Sequence, residues 1–294
     1  MSDDIAALIA EERLPADYAE VVSGYWAPLA DELARRKPAD RPLIVGVNGG
    51  QGSGKTTLCR FLEVLLARRG LRAVTLALDD FYLTRAERAG KAATIHPLFA
   101  TRGVPGTHDV ALLEAALDRL AQGRPAAIPR FDKASDDRAP GAREIAGPVD
   151  VILFEGWCVG AAPQAEAELA EPVNELERAE DAGGVWRRAV NGHLQEDYAR
   201  LFGRIDLLVM LAVSGLAAVR ANRRLQESKL AQSRPAGEAV MDEAVLDRFI
   251  QHYERLTRHC LHEMPDRADV LFHIGSDQRP RDLPDVLANP RPLA

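Results

Sequence analysis

An α/β fold with a parallel sheet is predicted by two features of the sequence: short apolar runs recur along the chain, and helical patterns fall between them. The first run, Leu43-Ile44-Val45-Gly46-Val47, lacks polar alternation, which suits a strand buried on both faces. Similar runs occupy 73–78, 149–154, 205–213 and 270–274. Helical spacing marks 57–69, 110–121, 186–202, 216–230 and 243–263, so the strands are expected to connect by right-handed crossovers. Ahead of them, Ile5, Leu8 and Ile9, then Tyr25, Leu29 and Leu33, give apolar stripes at helical spacing before Pro38 and Pro42. The expected organisation is a helical extension, 1–40, packed on a core domain, 41–294. Two stretches rich in glycine, proline and charge, 81–110 and 128–147, read as long irregular segments beside the strand ends where such sheets bind ligands.

Composition narrows the function. With 47% hydrophobic and 28% charged residues, the 294-residue chain can fill a sizeable core. Its net charge is -7 and it has no basic tract, which argues against nucleic acid as partner. No apolar run reaches the roughly 18 residues of a membrane span, so no membrane partner is expected. The acidic start, MSDDIAALIAEE, lacks the early basic residues of a presequence, so a cytoplasmic protein is expected. Three separated cysteines, Cys59, Cys158 and Cys260, do not form a disulfide framework. His259 and His262 lack a third metal ligand.

The first strand runs into Gly49-Gly50-Gln51-Gly52-Ser53-Gly54-Lys55-Thr56, followed by Thr57. This fits G-x-x-x-x-G-K-[ST] at every fixed position, with a strand before and a helix after. Glycines let successive backbone N–H groups turn inward as an anion nest at a helix N-terminus. Lys55 supplies charge to the β- and γ-phosphates, and the Thr56 hydroxyl suits Mg²⁺. Glu155, closing the run 149–154, is the expected acidic partner of that ion. ATP and Mg²⁺ are therefore expected; Asp150, at the other end of the strand, reads as structural.

Other P-loop classes fit less well. No Asn precedes a Lys as in a guanine-binding N-K-x-D, Glu155 is followed by Gly156 rather than preceded by Asp, and no L-S-G-G-Q run occurs. A small-molecule kinase needs a base for an acceptor hydroxyl, and Leu76-Ala77-Leu78-Asp79-Asp80-Phe81-Tyr82 offers one at the end of the second strand. Asp79 is the expected base; continued extended geometry would turn Asp80 to the opposite side.

These segments resemble the phosphoribulokinase, uridine kinase and pantothenate kinase group, and more narrowly the D-glycerate 3-kinase family. The resemblance rests on GVNGGQGSGKTT (46–57), LALDDFYLT (76–84), HPLFATRGVPGTHD (96–109), PRFDKASDDR (129–138), ILFEGWCVGAAP (152–163) and EDAGGVWRRAVNGHL (180–194). It implies a P-loop NTPase fold with a five-stranded sheet ordered 2-3-1-4-5, and transfer of a phosphoryl group from ATP to D-glycerate, giving 3-phosphoglycerate. A kinase of pantothenate, a nucleoside or a sugar acid, and an ATP-binding regulatory protein, are the alternatives. Partners are then a small carboxylate or alcohol substrate, with the chain a monomer or homodimer.

Glycerate carries a carboxylate, for which a cation is needed. Arg102, Lys133, Arg138 and Arg187 are candidates, with His108 and Asp109 able to bond a hydroxyl or orient one of them. The stretch from Arg220 through Arg223 and Arg224 to Glu227, with the polar segment to Glu238, reads as a helix entering a lid. Arg224 matches the arginine of a W-R-x-Q-E stretch implied by the resemblance and is the expected lid arginine, although Arg223 stands where that stretch has tryptophan. Trp157 and Trp186 are expected in packing or on the pocket wall.

Overall fold

The structure is a computed structural model describing residues 3–233 and 243–289, with side chains from 225 to 244 outside the description. Among the described residues, the seven strands are β1 Leu43–Gly49, β2 Ala73–Ala77, β3 Ala126–Asp132, β4 Asp137–Ile145, β5 Val151–Gly156, β6 Leu207–Val213 and β7 Val270–Ile274. Five form one sheet in the order β2-β5-β1-β6-β7, with every pair parallel. Counting only those five strands, this is the expected order 2-3-1-4-5.

Both faces of the sheet are buried, which explains the unbroken apolar runs. Leu43, Val45 and Val47 of β1, Val151 and Leu153 of β5, and Leu207, Val209 and Leu211 of β6 point into one core. Ile44, Ile152 and Phe154, Leu208 and Met210 point into the other. This is the period-two alternation of a strand with an apolar layer on each side.

The helices are α1 Asp3–Glu11, α2 Tyr18–Val21, α3 Ala27–Arg36, α4 Lys55–Ala67, α5 Arg85–Thr94, α6 Val110–Ala121, α7 Glu175–Glu180, α8 Val185–Gln195, α9 Asp197–Phe202, α10 Leu216–Ser233, α11 Glu243–Glu263 and α12 Asp285–Ala288. A π-helical turn, Val22–Trp26, joins α2 to α3. Trp26, Leu29 and Leu33 enter the same core as Phe61 of α4 and Phe272 of β7, and Trp26 meets Phe272 edge-on at 5.2 Å. None of the described helices is long and apolar enough to cross a membrane.

Three expectations are corrected. Segment 81–110 contains α5, capped by a reciprocal Thr84–Glu87 box, and a 3-10 turn, Pro97–Ala100. Its helix carries no apolar stripe because the side chain it buries fully is Arg88, so hydropathy gave no signal. Segment 128–147 lies within the antiparallel pair β3–β4, whose residues from Pro129 to Glu144 are half-buried or exposed. The helix expected over 186–202 breaks at Glu196 into α8 and α9. Asp150, by contrast, behaves structurally, accepting from the Arg72 N–H at 2.8 Å.

Candidate active site

The carboxyl ends of β1, β2 and β5 open into a cleft of about 460 Å³. Along one wall the chain leaves β1 and turns through the glycine-rich loop into α4. Gly52 and Gly54 adopt φ of +72° and +91°, left-handed values that L side chains rarely take. A Cβ on Gly52 would stand 2.5 Å from the Cβ of Asn222, so close packing on α10 demands glycine as well. The N–H groups of the first turn of α4 have no partner within the helix, and the macrodipole adds positive potential there. Lys55 Nζ donates to the Gly49 and Gly50 carbonyls at 2.7 and 3.2 Å. Gln51, Gly52, Gly54, Thr56 and Thr57 line the cleft beside it, while Ser53 is buried.

Thr56 Oγ1 donates to Glu155 Oε1 at 2.9 Å. Glu155 is buried; burial raises its pKa, against the pull of nearby Lys55. A hydroxyl and a carboxylate side by side form a small oxygen donor set. That fits Mg²⁺, which takes few protein ligands and keeps water and phosphate oxygens for the rest.

Across the cleft, Asp79 and Asp80 lie in a 3-10 turn, Leu78–Phe81, that ends β2. The turn abolishes the alternation expected of an extended chain, and both carboxylates line the cleft. Asp79 Oδ1 accepts from the Tyr82 hydroxyl at 3.0 Å, and Oδ2 pairs with Lys133 Nζ at 2.7 Å. Burial alone would raise the Asp79 pKa, but Lys133, aided by His108 and Lys55, holds the carboxyl well below the usual carboxylate range. Asp80 is pushed up, by burial first and by Asp79 next to it.

Arg102 also lines the cleft, its guanidinium over the Phe131 ring at 5.4 Å and paired with Asp136. Asp136 is shared with the buried Arg88 at 2.9 Å, which fastens the β3–β4 turn to α5. Trp157 donates through Nε1 to the Gly103 carbonyl at 3.1 Å, and Tyr253 through its hydroxyl to the Arg102 carbonyl at 3.0 Å. Both rings close the floor of the cleft, 4.8 Å apart.

Of the residues expected around an acceptor, the structure brings Asp79, Arg102 and Lys133 together. Arg138 and His108 stand behind them. Arg138 donates to the Tyr82 carbonyl and pairs with Asp109, each at 3.0 Å. His108 stacks on Tyr82 at 4.4 Å and meets the Tyr198 hydroxyl through Nδ1 at 2.5 Å, and burial lowers its pKa to about 3. Arg187 is a correction: it is buried away from the cleft, paired with Asp181 and donating to the Leu169 and Ala170 carbonyls. Its family-like segment is a scaffold for the 166–184 loop.

The lid arginine is corrected too. Arg223 lines the cleft, its guanidinium 5.3 Å from the Phe249 ring, whereas Arg224 is exposed and lies 3.8 Å from Asp247. The polar segment to Glu238 falls largely outside the described residues. Sequence reasoning also missed Tyr82, Phe131, Phe249, Tyr253 and Gln278, all lining the cleft. Tyr82, two residues beyond Asp80, was the one with a local signal; the others reach the cleft through tertiary packing.

Comparison with known proteins agrees with this geometry. Residues 44–163 match the Phosphoribulokinase / Uridine kinase family. A Schizosaccharomyces pombe protein described as an uncharacterized kinase, mug58, is 35% identical over 229 residues, covering 74% of this chain and 80% of that one. The chloroplastic D-glycerate 3-kinase of Arabidopsis thaliana is 32% identical over 269 residues, 84% of this chain but 55% of the plant protein. A solved D-glycerate 3-kinase from Cryptococcus neoformans superposes with a TM-score of 0.72 at 28% identity, covering 90% of this chain and 98% of that one. The chain belongs to the phosphoribulokinase/uridine kinase family and is a phosphotransferase with an alcohol group as acceptor.

Proposed function

We propose that this kinase phosphorylates D-glycerate at the expense of ATP, giving 3-phosphoglycerate. The observation that carries the reading is the placement of Asp79, paired with Lys133 and sharing one cleft with Arg102 and the glycine-rich loop. A carboxylate faces the loop, Lys133 is paired with it, and Arg102, held by Asp136, is a second cation lining the cleft for an acid substrate. The likeness to D-glycerate 3-kinases from a plant and a fungus supports the choice of acid.

In this reading the loop amides of Gly49 to Thr57 and Lys55 hold the triphosphate, fixing the γ-phosphorus in line with the acceptor. Thr56 and Glu155 would hold Mg²⁺, which neutralises charge on the phosphate oxygens. Arg102 and Lys133 bind the acceptor carboxylate, and Asp79 takes the hydroxyl proton as the new O–P bond forms and the bond to ADP breaks. Arg223 faces the cleft as a further cation for charge developing on the phosphoryl oxygens. His108 and Arg138 act through Tyr82, which fixes the rotamer of Asp79. Residues 1–40 are taken as an extension of a kinase domain, 41–294. We assign the enzyme to the cytoplasm, which its three free, buried cysteines support.

ADP release across D-glycerate, pantothenate, uridine and a set of sugar acids tests the acceptor. D-glycerate is expected to give the highest kcat/KM. The product's phosphorus resonance is expected to split into a triplet from the two C3 protons; a doublet would mean the 2-hydroxyl. Turnover of pantothenate or uridine without D-glycerate would replace the acid by another alcohol, and hydrolysis unaffected by any of them would make the protein an ATP-binding regulator.

A further inference from the structure

The base proposed above is not free to act in the geometry the structure shows. Each oxygen of Asp79 has a partner: the Tyr82 hydroxyl on Oδ1 and the Lys133 ammonium on Oδ2. A general base works best when its pKa lies near the operating pH. An ammonium at 2.7 Å does the opposite, stabilising the charged carboxylate and weakening its hold on a proton. Other neighbours act the other way. Asp80 and Glu155 line the same cleft as negative charges, and burial opposes ionisation of Asp79. The suppression of basicity therefore rests first on Lys133.

The two sides of the contact differ in mobility of design. Asp79 is set in a turn and tied to Tyr82, whose ring is clamped between His108 and Phe131 at 4.4 and 5.1 Å. Lys133 follows the last residue of β3, at the hairpin turn, and its side chain is 53% exposed. Its four-carbon stem can swing with little loss of packing. An arriving carboxylate competes directly for the ammonium, because a second anion of the same kind offers it an equivalent charge-assisted bond.

Resting on the glycerate reading, we propose that Lys133 locks the base and that the carboxylate of a hydroxy-acid acceptor is the key. Binding of the acid draws Nζ from Asp79 Oδ2 to the acceptor carboxylate. Oδ2 then faces the acceptor hydroxyl and takes its proton; the hydroxyl oxygen bonds to the γ-phosphorus, and the bridging oxygen leaves with ADP. With no acid bound, Lys133 keeps Asp79 from activating water, so ATP is not spent on hydrolysis to ADP and phosphate. Specificity for an acid is thereby exercised in turnover as well as in binding: a neutral polyol such as glycerol leaves the lock closed.

The test is ATP hydrolysis without acceptor, measured as ADP release, in the wild type, Lys133→Met, Lys133→Gln and the double variant Lys133→Met/Asp79→Asn. Melting curves establish that each variant is folded. Removing the ammonium is expected to raise acceptor-free hydrolysis about tenfold or more, while kcat/KM for D-glycerate falls by at least a similar factor. In the double variant the gain in hydrolysis is expected to vanish. Hydrolysis at or below the wild-type rate in both single variants overturns the lock, as does a gain that survives Asp79→Asn. The two readings separate cleanly: D-glycerate turnover with no gain in hydrolysis rejects the lock alone. An Asp79-dependent gain in a protein that ignores D-glycerate rejects the acceptor and keeps the lock.

Discussion

In the proposed reading, the phosphate wall of the cleft comes from one contiguous stretch, with Gln51, Gly52, Gly54, Lys55, Thr56 and Thr57 lining it, whereas the acceptor wall is gathered from Asp79, Arg102, Phe131, Lys133, Trp157 and Tyr253. On that reading the first wall works mainly through backbone amides whose direction follows from glycine torsions and a helix end. The second works through side chains, each set by partners elsewhere in the chain: Tyr82 for Asp79, Asp136 for Arg102, Gly103 for Trp157. The comparison teaches that a grip on phosphate can be encoded locally. Choosing an acceptor requires the fold to bring distant charges into register. Damage to the two walls should therefore have different signatures, the acceptor wall failing in turnover and acceptor affinity while the nucleotide still binds.

The sharpest way to break this contrast is Asp79→Asn. Turnover is expected to fall on the order of 10²–10⁴-fold, with ADP affinity by calorimetry almost unchanged. Next, Arg102→Ala should raise the acceptor KM about 10- to 100-fold, the loss of a charge-assisted contact, and leave the KM for ATP alone. A parallel rise in both constants would show that the walls are not separable.

On the phosphate wall, Gly52→Ala tests whether local torsion is what matters. The left-handed φ and the approach to Asn222 predict strain of about 1–3 kcal/mol, read as a lower melting temperature together with a raised KM for ATP. The acceptor KM should stay in place.

What could be seen in the sequence divides along the same line. The glycine-rich turn between β1 and α4 and the five strands of the sheet were legible because each is carried by a contiguous run, whereas the order of those strands came only through the family resemblance. Asp79 was legible as the polar end of an apolar strand. The β3–β4 pair was not, since beyond Ala126, Ile128 and Ile145, which enter the core, its strands carry charge and lie half-buried or exposed. Nor was α5, whose buried residue is an arginine. Arg187 matched a family-like segment yet serves Asp181, because a motif preserves a residue without saying whether it holds substrate or scaffold. The choice of Arg224 over Arg223 failed for a related reason: adjacent helix positions lie about 100° apart, and only packing on Phe249 decides which faces the cleft.

The smallest expected effect concerns the layer behind the acceptor wall. His108 is held neutral by burial, with a pKa of about 3 against an ordinary value near 6.5. Below pH 6.5 the unfolded chain takes up that proton and the fold does not. The stability this group contributes is therefore full above pH 6.5 and lost as pH falls toward 3. His252, at about 4, acts in the same direction. His108→Gln should reduce the pH dependence of unfolding free energy between pH 4 and 6 by about one proton, measured by denaturant titration across that range. An unchanged slope would mean that His108 is protonated in the fold.

The most direct measurement is a structure of the enzyme with a non-hydrolysable ATP analogue, Mg²⁺ and D-glycerate. The account predicts one glycerate hydroxyl within about 3.2 Å of an Asp79 carboxylate oxygen and facing the γ-phosphorus, with Lys133 moved onto the glycerate carboxylate. Asp79 still bonded to Lys133, with the acid bound out of reach of the terminal phosphate, would contradict it.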